Sequence, residues 1–442
     1  MAMNSAPPPE AFVRWFRQVA PYVHDFGGRT FVVAFGGEMV ADSARFASFI
    51  HDINLLAALE IRLVLVHGAR PQIEAELKAK GLRSRYAQGL RVTDERALQA
   101  VKGAAGELRV DIEAMLSQGL PDSPMARAQI RVASGNYITA RPIGVRKGVD
   151  FQFTGAVRKV DAMAIASHLD VGDIVLVPHL GYSPTGEVFN LAWEDVAESV
   201  AVALKADKLL MYTDRLPANR RGEVISELTA GEAATLAGKK SDLTPAAMRA
   251  LEHAARAVAA GVTRGHLVTR RAAGSLLLEL FTHAGVGTMI TAGALEKLRA
   301  ARIEDVRGIL SLIEPLEADG TLVKRSRELL EAEIGNFMVV EHDGAIVGCA
   351  ALYPFPGEKS AEFACLAVGN DYRDAGYGER LLVACQDRAR ALKLRKVFAL
   401  TTHAAHWFLE QGFRAADVAA LPKRRQALYN WRRGSKIFLK RL

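Results

Sequence analysis

From Phe31 to about Ile290, short apolar runs that stop at glycine or polar residues alternate with helical patterns. "IRLVLVHG", "DIVLVPHLG", "KLLMYTD" and "GHLVT" are the runs; "DVAESVAVALKA" and "PAAMRALEHAARAVAAG" are two of the patterns between them. Strands that alternate with helices pair in parallel, because each parallel pairing needs a crossover. The expected first domain is therefore an α/β body with a largely parallel sheet between helical layers. Loops at the carboxyl ends of such strands usually carry the site. His67, Asp214 and the Gly36–Gly37 pair sit at such ends.

After "GTMIT" the texture changes. The stretch "ALEKLRAARIEDVRGILSLIEPLEADG" reads as helical. "FMVVEHDGAIVGCAALYPF" reads as two strands joined at Asp343–Gly344, a strong hairpin signal. A third strand, "SAEFACLAV", then "RDAGYG", a helix and a fourth strand, "KVFAL", complete a second α/β domain. The seam is expected near Thr291–Leu298, giving domains over 27–292 and 296–442. Ahead of them, residues 1–26 are expected to hold a helix whose stripe is Phe12, Phe16, Val19 and Val23, kinked at Pro21.

The 442 residues suffice for two or three domains. No apolar run approaches the roughly 18–20 residues that span a bilayer, and "MAMNSAPPPE" lacks the features of a secretory leader. Cys349, Cys365 and Cys385 are odd in number and lack metal-ligand spacing, so a reducing cytoplasm is expected and no metal site. The net charge is +8, and Lys423 to Leu442 alone carries eight cations and no acid. That points to an anionic ligand near the C-terminus, or to a solvated tail. Its sparse aromatic residues argue against nucleic acid.

Two stretches carry chemistry. "FVVAFGGEMV" runs a strand into a glycine pair, a turn whose N–H groups can face a phosphate, but Ala34 and Phe35 stand where a phosphate site would place a lysine. "YRDAGYGERLL" sets Arg373, Gly376 and Gly378 between a strand and an apolar helix, which suits a pyrophosphate or is simply a helix-starting turn. Upstream, Glu362 is an acid in an apolar strand. It is either an edge residue in solvent or a carboxylate in a cleft able to take a proton from an amine.

The second domain resembles the GNAT acetyltransferases on "YRDAGYGERLL" and its setting. The resemblance implies acetyl-CoA held by Cys365, Leu366, Val368, Arg373, Asp374, Gly376, Tyr377 and Gly378, with no further cofactor. Backbone N–H groups near Cys365–Leu366 would polarise the thioester, and Glu362 would be the base. "TTHAAHWFLEQGF" lacks the tyrosine that many relatives use as acid, leaving His403, His406 or water. Arg325, Arg433 and Ser435 would hold a dicarboxylic amino acid.

The first domain resembles the amino acid kinase family, closest to the acetylglutamate kinases, on "FVVAFGG", "LVLVHGARPQIEAELKAKGL", "LLMYTD" and "SLLLELFTHAGVGTMI". The departures are in the chemistry. One phosphate-binding lysine is Ala34, a second falls at about Leu251, and the catalytic aspartate falls near Glu194. Phosphoryl transfer needs such charges, so the domain is expected to be kinase-inactive. A kinase-like domain followed by a GNAT domain resembles the bacterial N-acetylglutamate synthase family. The pairing implies acetyl transfer to L-glutamate, the first step of arginine biosynthesis. It also implies L-arginine bound by Tyr22, His266, Glu279 and Gly285, and a homo-hexamer joined through the N-terminal helix. The competing readings are a bifunctional synthase/kinase and a non-catalytic arginine sensor.

Overall fold

The structure is a computed structural model that describes residues 9–119, 125–238, 242–282, 285–293, 296–373 and 376–442. The chain divides into two compact units, residues 1–293 and 294–442.

The first unit opens with α1 (Pro9–Phe26), one helix that runs through Pro21. Its sheet strands are β1 (Thr30–Phe35), β2 (Arg62–His67), β3 (Val132–Ser134), β4 (Ile174–Pro178), β5 (Lys208–Thr213), β6 (Glu227–Thr229), β7 (Arg264–Thr269) and β8 (Thr288–Thr291). They order as β6-β8-β7-β5-β1-β2-β4-β3. Every pair is parallel except β7–β8. The apolar runs are continuous because both faces are covered. On β1, Phe31, Val33 and Phe35 join one core, while Val32 and Ala34 join the core on the opposite face. Three helices matter below: α2 (Trp193–Ala203), α3 (Pro245–Ala259) and α4 (Ser275–Phe281). A separate four-stranded sheet, spanning residues 138–190 in sequence, completes the unit.

The stripe expected on α1 divides in two. Val19 is buried, and Tyr22, Val23 and Phe26 pack on the core, whereas Phe12 and Phe16 are stacked on each other and more than half exposed.

The second unit is a seven-stranded sheet. In chain order its strands are β9 (Glu296–Ala300), β10 (Phe337–His342), β11 (Ala345–Phe355), β12 (Ser360–Val368), β13 (Lys396–Thr401), β14 (Arg414–Ala416) and β15 (Lys436–Arg441). The sheet order is β9-β10-β11-β12-β13-β15-β14. Its helices are α5 (Val306–Ala318), α6 (Arg327–Glu333), α7 (Tyr377–Ala391), α8 (Ala405–Glu410) and α9 (Lys423–Ala427).

Two expectations fail here. Glu296–Ala300 is a strand, not the start of a helix. It pairs antiparallel with β10, and Arg299 bridges to Asp305 at 2.7 and 2.8 Å and to Glu341 at 2.8 Å. Edge pairing and that ion cluster override the local helical preference. The basic C-terminus is also not a solvated tail. β15 lies between β13 and β14, with Ile437 and Phe438 buried.

Candidate active site

Strand β12 splits the second unit's sheet. It pairs in parallel with β13 only through Ser360↔Lys396, Ala361↔Val397 and Glu362↔Phe398. Both strands continue past that point without pairing to each other, β12 to Val368 and β13 to Thr401. A wedge therefore opens between them, with the backbone of β12 along one wall. A bulge shapes that wall. Cys349 pairs with Ala367 and Ala351 with Ala364, so Cys365 and Leu366 together oppose Ala350. Cys365 takes a left-handed φ of 54°. A bulge leaves one residue out of the ladder and re-aims its polar groups, here beside the wedge.

At the end of β12 the chain turns into α7. Gly376 is the N-cap at φ 74°, a conformation that favours glycine. Tyr377 packs on Tyr372, with ring centroids 5.8 Å apart. A Cβ on Gly378 would touch Trp407 at 3.5 Å, so the helix start sits close under α8. Arg373 is exposed ahead of this turn, and Asp374 lies outside the described residues. The N-terminus of the fifteen-residue α7 thus faces the end of the wedge, where free N–H groups and the helix dipole favour an anion.

The face of β12 that carries Glu362 also carries the other charged groups. Glu362 lies opposite Tyr353 on β11 and Phe398 on β13. Arg425 on α9 grips it with two bonds, Nε to Oε2 at 2.6 Å and Nη2 to Oε1 at 3.0 Å. The Tyr353 hydroxyl donates to Glu333 at 2.8 Å. Arg325 stands beside Tyr353 and Cys365. Burial works against its charge, but Cys365, Tyr353 and Glu317 outweigh that and hold its proton more tightly than usual. The same guanidinium acts on Cys365, whose thiol is pulled down first by its hydrogen bond with Cys349 and then by Arg325; the Cys349 thiol is pushed up in turn. Arg433 reaches the loop that carries Arg325, donating from Nη2 to Gly320 O at 3.1 Å and Thr321 O at 2.7 Å. Ser435, two residues on, is buried, and its carbonyl accepts from Tyr429 at 2.7 Å.

The kinase-like unit has its own cleft, a cavity of about 320 Å³ lined among others by Gly36, Gly37, Arg70, His179, Trp193, Glu194 and Arg249. Protein side chains occupy its glycine turn. Gln72 donates to Gly37 O at 2.9 Å, and a Cβ on Gly68 would lie 2.5 Å from the Trp193 ring. Glu194 is buried and paired with Arg249 at 3.0 Å.

A second cluster lies at α4. His266 and Glu279 meet at 2.7 Å, and Glu279 Oε2 accepts from Val286 N at 2.9 Å and Gly287 N at 2.7 Å. Gly285, at φ 59°, lies against the same carboxylate. Burial raises Glu279, but His266 and the two N–H donors more than offset it, so the carboxyl sits below its usual range. Burial pushes His266 down to about 4. Tyr22 packs edge-on against Phe281 of α4, 6.4 Å between centroids.

The amino acid kinase family model matches residues 29–269, and the acetyltransferase (GNAT) family model matches residues 303–413. An amino-acid acetyltransferase of Ralstonia nicotianae is 50% identical over 438 residues, which is 99% of this chain and 96% of that protein. This chain belongs to the amino-acid acetyltransferase family. Among solved structures, the N-acetylglutamate synthase of Neisseria gonorrhoeae complexed with coenzyme A and L-arginine matches at TM-score 0.87 and 40% identity. That match covers 98% of this chain and 99% of the other. The same protein complexed with coenzyme A and N-acetyl-glutamate matches at 0.62 over the same shares.

In this acetyltransferase the residues singled out from sequence fall into two groups. Cys365, Leu366 and Val368 line one strand, and Arg373, Gly376, Tyr377 and Gly378 form the turn after it. Glu362 is on the same strand, Arg325 stands beside its Cys365, and Arg433, two residues before Ser435, holds the loop that carries Arg325. Tyr22, His266, Glu279 and Gly285 converge at α4. His403 lies close enough to Asp319, at the loop that Arg433 holds, to help Thr321 lower its carboxyl. His403 and His406 are both exposed, and their Nδ1 atoms pair with Thr402 at 2.8 Å and Glu410 at 3.0 Å. Leu251, where the resemblance places the second kinase lysine, is fully buried in the core, while Pro245, Ala246 and Arg249 of α3 line the cleft.

Sequence reasoning missed three groups. Arg425 had a signal, since a buried acid in "SAEFACLAV" needs a cation and the C-terminal basic segment was the uncommitted supply. Lys208, whose Nζ lies 3.4 Å from His266 Nε2 and 5.1 Å from the centre of the Phe26 ring, begins a strand and reads as solvated. Trp193 gave no signal of packing on the turn after β2.

Among the described residues no helix is long and apolar enough to cross a membrane.

Proposed function

We propose that this acetyltransferase moves the acetyl group of acetyl-CoA to the α-amine of L-glutamate, opening arginine biosynthesis in the cytoplasm, and that L-arginine inhibits it from the first unit. The wedge carries the reading. It combines a bulged strand edge, a helix N-terminus and a carboxylate, Glu362, gripped by Arg425, with Arg325 beside Cys365 and Arg433 on the loop that carries Arg325. The ligands named for the Neisseria gonorrhoeae relative, coenzyme A, N-acetyl-glutamate and L-arginine, support the same assignment.

In this reading the pyrophosphate lies at Arg373, Gly376, Tyr377 and Gly378, and the pantetheine runs along Val368, Leu366 and Cys365. N–H groups at the Cys365–Leu366 bulge receive the thioester oxygen as it gains charge. Arg325 and Arg433, with Ser435, hold the two carboxylates of glutamate. Glu362 takes a proton from the ammonium, the amine nitrogen attacks the carbonyl carbon, and the C–S electrons leave with the thiolate, which takes up the second proton that the nitrogen sheds as the amide forms. No covalent enzyme intermediate and no further cofactor are needed.

The first unit (27–292) acts as the regulatory domain. Arginine brings its guanidinium to Glu279, beneath Tyr22 at the end of α1, while the exposed Phe12 and Phe16 join copies into a hexamer. Kinase activity is disfavoured because Gln72 and Trp193 pack against the glycine turns of the cleft and Glu194 is neutralised by Arg249. The test is thiol release from acetyl-CoA with each of the common amino acids, with and without arginine. Glutamate should dominate, and arginine should suppress it. Equal turnover of glutamine and glutamate would refute the substrate assignment.

A further inference from the structure

Glu362 and Arg425 form the most enclosed ion pair on the wedge face, with side chains 11% and 21% exposed. The other two arginines there are engaged differently. Arg325 donates from Nη1 to Val323 O at 2.9 Å, and Arg433 donates to the Gly320 and Thr321 carbonyls. Arg425 alone is spent on the acid that must serve as base. It is carried by the five-residue α9, and its Nη1 donates to Leu428 O at 3.2 Å, so its hold on the rest of the unit is light.

As it stands the pair opposes catalysis. The guanidinium fork engages a lone pair on each Glu362 oxygen. A substrate ammonium approaching that carboxylate also meets the charge of Arg425 beside it. Removing Arg425 from Glu362 without a replacement would strand a buried charge, the expensive outcome for such pairs. A dicarboxylic amino acid brings the replacement, a carboxylate with the same geometry as the Glu362 side chain.

We propose that Arg425 is a positioning residue that exchanges partners: it holds Glu362 while the amino-acid site is empty and passes to a carboxylate of the incoming dicarboxylic amino acid, releasing Glu362 to accept the ammonium proton. This rests on the reading of the wedge as the site of acetyl transfer to glutamate. Two N–H···O bonds to Glu362 are traded for two to the ligand, and no charge is left bare. The proton then moves from the ligand nitrogen to a Glu362 oxygen. The exchange ties base release to substrate identity, because an amino acid lacking the carboxylate that draws Arg425 leaves the base masked.

The test uses the full-length protein and thiol release with acetyl-CoA. The acceptors are L-glutamate, L-glutamine (no side-chain carboxylate) and 4-aminobutyrate (no α-carboxylate). Arg425→Gln should raise the glutamate KM and reduce the preference for glutamate over one of the two truncated acceptors by about tenfold or more. Arg425→Lys should restore part of the glutamate KM, and it carries the same test if the glutamine variant does not fold. A residue that only balances the charge of Glu362 would lower kcat or the melting temperature and leave both preferences intact; that result overturns the exchange. Failure of the underlying reading is separate. Wild-type protein that releases no thiol with glutamate, or Glu362→Gln at near wild-type kcat, removes the substrate or the base assignment and the exchange with it.

Discussion

Lowering the pH from 8 to 5 should destabilise the first unit by about 3 kcal/mol, and the size follows from four buried groups. His67 lies at the end of β2 and His179 just after β4, fully or nearly fully buried, with no side-chain partner for either ring among the described residues. Burial pushes them from 6.5 to about 3 and about 4, and His266 likewise to about 4. The unfolded chain takes up these three protons near pH 6.5, while the folded chain refuses them until pH 4 or below. Their contribution is complete above 6.5 and is lost as the pH falls. At pH 5 each has lost about 1.5 pH units of linkage, ~2 kcal/mol, or ~6 kcal/mol together. Asp52 acts in the opposite sense. Burial raises it from 3.8 to about 7, so the folded state binds its proton first and recovers ~3 kcal/mol over the same range. The net loss is a large part of a typical domain stability. The assay is urea unfolding read by amide-exchange mass spectrometry on peptides from β2 and β4, corrected for intrinsic rates. Asp52→Asn removes the opposing group, so its loss between pH 8 and 5 should steepen to about 6 kcal/mol. A first unit equally stable at both pH values, or an asparagine variant with no steeper loss, would refute the reasoning.

Glu362→Gln should lower kcat by about 10²–10⁴-fold in the thiol-release assay, as expected for loss of a general base. Gly376→Ala forces a side chain to φ 74° at the start of α7, and should raise the KM for acetyl-CoA several-fold while leaving that for glutamate near its original value. Glu279→Ala removes the acceptor shared by His266, Val286 and Gly287. It should abolish arginine inhibition and leave turnover without arginine largely intact, which initial rates over an arginine titration will decide. Deleting residues through Phe26 should shrink the assembly seen by light scattering, since it removes the exposed Phe12–Phe16 pair.

The parts of this fold that were legible in sequence are those where local and global forces agree. The apolar runs of β1, β2, β4 and β5 are buried on both faces, so their composition shows directly. Asp343 and Gly344 take φ values of 50° and 80°, as the hairpin signal requires. What was hidden depends on partners distant in sequence. Glu296–Ala300 has helix-forming composition and becomes a strand because β10 offers an edge. Leu251 and Arg249 differ by two positions, and only the packing of α3 decides which of them faces the cleft. Arg425 and Glu362 are 63 residues apart, and no local pattern joins them. The stripe on α1 shows where a pattern is real but has two destinations, since one half docks on the unit and the other half is left facing outward.

The glycine turn after β1 follows the same logic. In a phosphate site, glycines let backbone N–H groups approach the ligand. Here the space beside Gly37 is taken by its own protein. A Cβ on Gly37 would collide with the Gln72 side chain and come within 2.9 Å of the Ala69 Cα, which lies in the turn after the neighbouring strand β2. Since β1 and β2 pair in register from Thr30↔Arg62 to Phe35↔His67, their ends arrive together, and the two turns must pass at backbone contact distance. The glycine is therefore required by strand pairing, whatever the turn binds. Ala34, one residue inside the strand, points into the core under the opposite helical layer, where an unpaired lysine would be costly. The constraint on the turn is thus separable from the constraint on the charge. Such a turn can lose its lysine and keep its glycines, and the fold still packs Tyr22 at the end of α1 against α4, the helix that carries Glu279.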